Sequence, residues 1–213
     1  PICRNMFDVF RNSYDEFLSA LLEHIEISFI AIVTAIVLAI FVTIFLNFYK
    51  EFSHVTIYLF SLMYAIPSFA LFALLIPITG LGQTTAIIVL VIYAQYILVR
   101  TFLSGLSQVD KHVIEAAKAM GMTKWQILLK VQFPLAQKSF FAGLRLASTA
   151  IIAIATIGAT INAGGLGVIL FDGLRTMNLT KLLWGIILTV GLSLLTNLII
   201  YLVEELFQKE YSV

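Results

Sequence analysis

An all-α membrane protein with about five transmembrane helices is the fold class that three features of this chain predict. First, 61% of its 213 residues are hydrophobic and only 12% are charged. With a mean hydropathy of +1.01, that composition excludes an ordinary water-soluble domain. Second, the charges are segregated. No Asp, Glu, Lys or Arg occurs from Ile27 to Tyr49, from Phe52 to Val99, from Leu146 to Phe171 or from Leu182 to Val203. Third, an insert between the second and third of these stretches carries Lys111, Lys118, Lys124, Lys130 and Lys138. That is the composition of a segment outside the bilayer.

The elements follow in order. Tyr14 to Glu26 is amphipathic, with Phe17, Leu18, Leu21, Leu22 and Ile25 on one stripe. Glu16, Ser19, Glu23 and Glu26 face away, which predicts an interfacial helix within an N-terminal segment, residues 1–24. A transmembrane domain then occupies 25–213. A crossing helix needs roughly 20 apolar residues. The first and last charge-free stretches each suit one crossing, at 25–48 and 181–203. The second suits two, at 56–76 and 84–104, with Pro77-Ile78-Thr79-Gly80-Leu81-Gly82 as the turn between them. The third suits one, at 138–160, followed by a glycine-rich segment.

Orientation follows from the positive-inside rule. The lysine-rich insert, flanked by Arg100 and Arg145, is cytoplasmic, and the uncharged 77–83 loop is external. An odd number of crossings then puts the N-terminus outside and the C-terminus inside. Arg4 and Arg11 oppose this, offset by Asp8, Asp15 and Glu16. Arg100 and Arg145 are expected to snorkel to the cytoplasmic headgroups. The single cysteine, Cys3, excludes an internal disulfide, and His24, His54 and His112 lack metal-ligand spacing. Pro1 stands where an initiating Met would, so the sequence reads as a fragment and a leader cannot be judged.

The insert, 107–134, has its own internal logic. Ser107 and Asp110 have capping-box spacing, with Asp110 as the alternative N-cap. Val113, Ala116, Ala117 and Met120 recur at helical spacing. Gly121 stops that helix by taking a left-handed C′ conformation without a Cβ penalty. Thr123 and Gln126 form a capping box for a second helix carrying Trp125, Leu128, Leu129 and Val131, which Pro134 should disrupt. The product is a helical hairpin packed against the cytoplasmic face. Small Ala116 and Ala117 admit close approach of another surface, and Glu115 offers it a charge.

Glu115-Ala116-Ala117, then Gly121, then Val131-Gln132-Phe133-Pro134 matches the spacing EAA-x3-G-x9-I-x-L-P. Val131 and Phe133 depart from it and stay apolar. The chain therefore resembles the type I, binding-protein-dependent ABC importer permeases. In that family this element is the coupling helix, seated in a groove of the ATP-binding subunit. The resemblance assigns ATPase coupling to Glu115, Ala116, Ala117, Met120, Gly121 and Thr123. Ile66-Pro67-Ser68-Phe69-Ala70-Leu71, Ile76-Pro77, Gly80-x-Gly82 and Ala86-Ile87 look like the osmoprotectant branch, which serves glycine betaine, choline and carnitine. Thr85 departs from that branch, where proline is expected. Ala163-Gly164-Gly165-Leu166-Gly167 with Phe171-x-Gly173-Leu174 is similar to its glycine-rich segment and also to methionine importers. Relatives with a C-terminal binding domain include ergothioneine permeases.

The resemblance implies two ATPase subunits that bind ATP and Mg, a second permease copy, and an external solute-binding protein or fused domain. It also implies a bacterial cytoplasmic membrane, a MetI-like core, and no cofactor, metal or nucleic acid held by this chain. In keeping with that, the sequence has no G-x-x-x-x-G-K-[ST] loop. Pathway candidates are Tyr64, Tyr93 and Tyr96, as aromatic faces for a quaternary ammonium. Pro67 is read either as a hinge or as a packing kink. Gly164, Gly165, Leu166 and Gly167 make a continuous helix over 161–173 unfavourable and read as an external gate or a plain connecting loop. Gly143, Ala147, Ala150 and Ala153 suit close helix contact. A methionine or other amino-acid importer is the alternative substrate reading. A channel or secondary transporter leaves the loop motif unexplained, and an intramembrane enzyme lacks a nucleophile and base in the crossings.

Overall fold

The computed structural model describes residue 11 and residues 13–211, so Cys3, Arg4 and Asp8 lie outside it. It is helical throughout, with no strand among the described residues. The elements are α1 (Tyr14–Phe48), a 3₁₀ turn (Lys50–Phe52), α2 (Ser53–Ala65), α3 (Ser68–Thr79) and α4 (Gln83–Ser107). There follow α5 (Lys111–Ala119), α6 (Lys124–Ile127), a π turn (Leu128–Gln132) and α7 (Phe133–Ala155). A 3₁₀ segment (Thr156–Ile161), α8 (Leu166–Arg175) and α9 (Leu179–Tyr211) complete the chain. Four helical stretches are long and apolar enough to cross a bilayer, or up to five if the bent pair α2–α3 forms one span.

The core is built from small residues on α1 and larger ones on its neighbours. Ala31, Ala35 and Ala39 recur every fourth residue and are fully buried. With Ile27 and Leu46 they join Val89, Leu90, Ala94 and Leu98 of α4 and Ala147, Ile151 and Ala155 of α7 in one cluster. Small side chains let helix axes approach closely, which supplies the dispersion contacts that hold helices together in lipid. Gln95 is buried in the same seam and donates to the Ala35 carbonyl at 3.1 Å.

Three sequence expectations change here. No break separates the 14–26 segment from the first crossing: α1 runs 35 residues, about 50 Å. Its N-terminal turns are not a separate interfacial helix, because Phe17 and Ala20 pack into a second cluster with Leu166 and Ile169. Leu18, Leu22 and Ile25, expected on the apolar stripe, are exposed.

The 56–76 crossing is a broken span. Ile66 leaves the helix with ψ 130, and α2 and α3 meet at 96°. Pro67 forces this, because its ring disfavours helical geometry in the residue before it. Pro134, in contrast, does not end its helix. It sits in the first turn of α7, and the chain stays helical from Lys124 to Ile161. The π turn is the reason. Phe133 N–H reaches back five residues to Leu128, and this extra residue absorbs the bond that proline cannot make.

The two ends of the bundle are distinct. At one end Phe48 packs edge-on to Trp125 at 4.8 Å, and Asn47 donates to Gln132 at 3.3 Å. The lysine-rich hairpin 111–132 is therefore at this end. At the other end a Cβ on Gly82 would lie 3.9 Å from the Asn162 carbonyl, so the α3–α4 turn abuts the glycine segment. Thr85, the departure noted above, is fully buried; its hydroxyl donates to the Gly80 carbonyl at 2.5 Å and holds that turn. The bent pair begins at the lysine-rich end and finishes at the other, so it crosses. With Cys3 replaced by serine, an impermeant thiol reagent on intact cells is expected to label Leu81→Cys and spare Lys118→Cys. The opposite pattern would overturn this orientation.

Candidate functional site

The hairpin 111–132 is built from local signals. Asp110 is the N-cap of α5, its carboxylate accepting from the His112 N–H at 2.9 Å, while Ser107 is not used as a cap and bonds the Ser104 carbonyl. At the far end Gly121 has φ +79. Its N–H donates to Lys118 O at 2.9 Å and Met122 N–H donates to Ala117 O at 3.1 Å. This pair of bonds is a Schellman motif, and its positive φ favours glycine. Thr123 then starts α6 with both bonds of the capping box, to and from Gln126.

These devices fix which face of α5 looks outward. Ala117 is buried on the inward side. Val113 and Met120 are 42% and 75% exposed, and Glu115 and Ala116 are exposed beside them. Of the predicted coupling residues, only Ala117 is committed to the subunit's own packing. The others, including Gly121 and Thr123, lie on the outside of the hairpin.

The glycine segment at the opposite end is held by side chains that the sequence did not single out. Gly164 and Gly165 have φ +82 and +80. Gly165 N–H donates to Glu23 at 3.0 Å, and Leu166 N–H donates to His24 Nδ1 at 3.2 Å. The other ring nitrogen of His24 lies 3.0 Å from the Ile152 carbonyl. The buried imidazole thus bridges α7 and the start of α8, and both bonds require its neutral form with the proton on Nε2. A Cβ at Gly165 would fall 2.9 Å from His24 Nδ1, so the glycine permits the clamp. Leu166 is fully buried, and Gly167 lies inside α8 rather than in a loop. The expected helix break over 161–173 is therefore limited to 162–165.

The tyrosines do come together. Tyr64 lies 5.6 Å from Tyr93 and 5.0 Å from Tyr96, ring centre to ring centre. They do different things. Tyr93 is buried, and its hydroxyl donates to the Ile66 carbonyl, a group that Pro67 removes from the helical ladder. Tyr96 accepts a bond from Arg100, whose guanidinium also sits 5.5 Å from the Tyr96 ring centre. Tyr64 is 39% exposed, and Pro67 is exposed beside it.

This arrangement, a broken-helix bundle with an outward-facing hairpin at one end, agrees with the comparisons. Residues 31–213 match the model for binding-protein-dependent transport system inner membrane components. The chain belongs to that family. It is a multi-pass membrane subunit of a transport system. It is 34% identical over 175 residues to the carnitine transport permease protein OpuCB of Listeria monocytogenes, covering 82% of this chain and 80% of that protein. It is 42% identical over 135 residues to the ergothioneine transport permease/ergothioneine binding protein EgtU of Helicobacter pylori (strain G27). That match covers 63% of this chain and 24% of EgtU. Among solved structures, an inward-facing MetNI methionine ABC transporter superposes with TM-score 0.82 at 21% identity, covering 90% of this chain and 95% of that one. At that identity the likeness concerns the fold.

In this member of the family, two ionic sites also escaped the sequence reading. Arg145, expected to reach the headgroups, pairs with Glu204 of α9, which is buried. Glu204 also accepts from Gln208 at 3.0 Å. At the end that carries the glycine segment, Lys181 pairs with Glu16 at 2.7 Å and Asp172 at 2.6 Å. Bonds from Lys181 and Arg175 hold the Asp172 carboxyl below its ordinary range. Both sites join residues far apart in sequence, so no local spacing announces them.

Proposed function

We propose that the chain forms one half of the membrane passage of an ABC importer for methylated-ammonium solutes of the betaine type. The observation that carries the transport reading is α5: a capped helix held away from the bundle with Val113, Glu115, Ala116 and Met120 exposed. An amphipathic hairpin lying on the membrane surface would also cover this patch, but the full spacing of the EAA motif favours a groove on an ATPase. Carnitine, choline, glycine betaine and ergothioneine appear in the names of relatives, which supports the substrate class.

In the proposed cycle two ATPase subunits close around ATP and Mg in the cytoplasm. Each moves one α5, and two permease copies rock between inward-open and outward-open states about their common axis. An external binding protein, or a fused domain, delivers the solute. Hydrolysis resets the pair. Placement in a bacterial cytoplasmic membrane follows from the same reading. The exposed Tyr64 face offers a contact of about 0.5–2 kcal/mol to a methylated ammonium, whereas Tyr96 already carries the Arg100 guanidinium. The four charge-free stretches hold no carboxylate to trap it. The passage therefore holds solute weakly, and the binding protein sets specificity.

The test is uptake by proteoliposomes containing this permease, its cognate ATPase and its binding protein. Glycine betaine, choline, carnitine, ergothioneine and methionine are supplied in turn. ATP-dependent uptake of at least one methylated-ammonium solute is expected, with none of methionine. Methionine uptake alone would defeat the substrate class and leave the importer reading intact.

A further inference from the structure

At the cytoplasmic end a cavity of about 810 Å³ opens between the end of α1, the cytoplasmic half of α2, α4 and the start of α5. Its charge is one-sided. Lys50, Arg100 and Lys111 line it together with His54, and among the described residues no Asp or Glu does. Among the described residues none of these four side chains forms an ion pair with a carboxylate; the His112–Glu115 contact lies on α5 outside the cavity. Asn47 and Ser104 add neutral donors. Arg100 is oriented by Tyr96, which fixes one edge of its guanidinium and leaves other N–H groups toward the cavity. Three cations, Lys50, Arg100 and Lys111, gathered with no carboxylate among the described lining residues favour an anion between them.

We infer that this cavity is a binding site for a phosphate-bearing anion, supplied by the headgroup of an acidic phospholipid in the cytoplasmic leaflet or by a soluble phosphate. Three things fit phosphate chemistry. The guanidinium and ammonium groups supply charge-assisted donors. The cavity lies where Lys50 and Lys111 mark the end of the apolar spans, which is headgroup depth. Beside it on α2, Val55, Leu59 and Leu62 are exposed and apolar, and would accommodate the acyl chains of a lipid whose headgroup sits in the cavity. An occupant would touch α2, α4 and the first residue of α5 at once, so it would brace the hairpin against the spans. The site stands whether or not the solute reading holds.

The experiment uses the permease with its ATPase, extracted from vesicles of phosphatidylcholine and phosphatidylglycerol in equal amounts. Native mass spectrometry counts the lipid retained. Wild type is expected to retain phosphatidylglycerol over phosphatidylcholine by about tenfold, and Lys50→Gln/Lys111→Gln to lose most of that preference. Both lysines are exposed, so folding is spared. Lys130→Gln/Lys138→Gln removes equally basic, exposed residues that do not line the cavity, and is expected to keep the preference. Inorganic phosphate at millimolar concentration separates the two sources: displacement of the lipid from wild type, or phosphate retained in its place and lost in Lys50→Gln/Lys111→Gln, assigns the soluble anion. Overturning results are no lipid preference together with no retained phosphate that depends on Lys50 and Lys111, or equal losses in the two double variants.

Discussion

Gly121→Leu is expected to abolish ATP-driven uptake while leaving the subunit inserted and folded. The residue sits at φ +79, where a Cβ costs about 1–2 kcal/mol. Apart from its chain neighbours, none of the described residues lies within 4 Å of that Cβ, so none of them clashes with it. The larger penalty arises outside, where the new side chain projects beside Ala116 and Met120 toward the proposed ATPase groove. Loss of 1.4 kcal/mol at docking is about tenfold in affinity, and both terms together exceed that. Co-purification with the ATPase, uptake and membrane yield are measured in parallel. Gly121→Asn tolerates the left-handed turn and projects less, so it should fall between wild type and leucine. Wild-type uptake and ATPase association by the leucine variant would refute the coupling role.

Gly167→Ala is expected to be the most damaging single methyl in the chain. The added Cβ would lie 1.8 Å from the Thr156 carbonyl oxygen and 2.7 Å from its carbon. These are backbone atoms of the 3₁₀ segment leading to the glycine turn, so no side chain can rotate away. Overpacking of this kind costs about 3 kcal/mol or more, or roughly 6–12 °C in melting temperature for a chain of this length. Gly191→Ala, with nothing within 4 Å of its Cβ, is the matched control and should melt like wild type. Thermal unfolding of the detergent-solubilised complex reads both. Equal melting of the two variants would show that α8 does not pack on the 3₁₀ segment as described.

The sequence was informative wherever the signal was local or statistical. Charge-free stretches located the spans because a bilayer excludes charge whatever the fold. The hairpin was legible down to its caps: the Thr123–Gln126 box and the Gly121 turn form as their spacing requires, since each involves residues at most a few positions apart. Asp110 rather than Ser107 caps α5, a choice the spacing left open. Even the broken span was signalled by Pro67, although not its angle of 96°.

What the sequence could not show depends on distant partners. Glu23 and His24 look like a polar face of an amphipathic helix; only the fold brings Gly165, Leu166 and Ile152 to them. Ala31, Ala35 and Ala39 are unremarkable in an apolar run until α4 and α7 close on them. Pro134 reads as a stop because its missing N–H breaks an ordinary helix, and a π turn supplies another register. Arg145 reads as a snorkelling cation until α9 presents Glu204. The spans and the exposed motif were thus legible in the sequence alone, because solvent and backbone act on each residue locally. The clamp on the glycine turn, the ion pairs and the basic cavity were decided by tertiary structure, because each needs side chains from separate helices within a few ångströms.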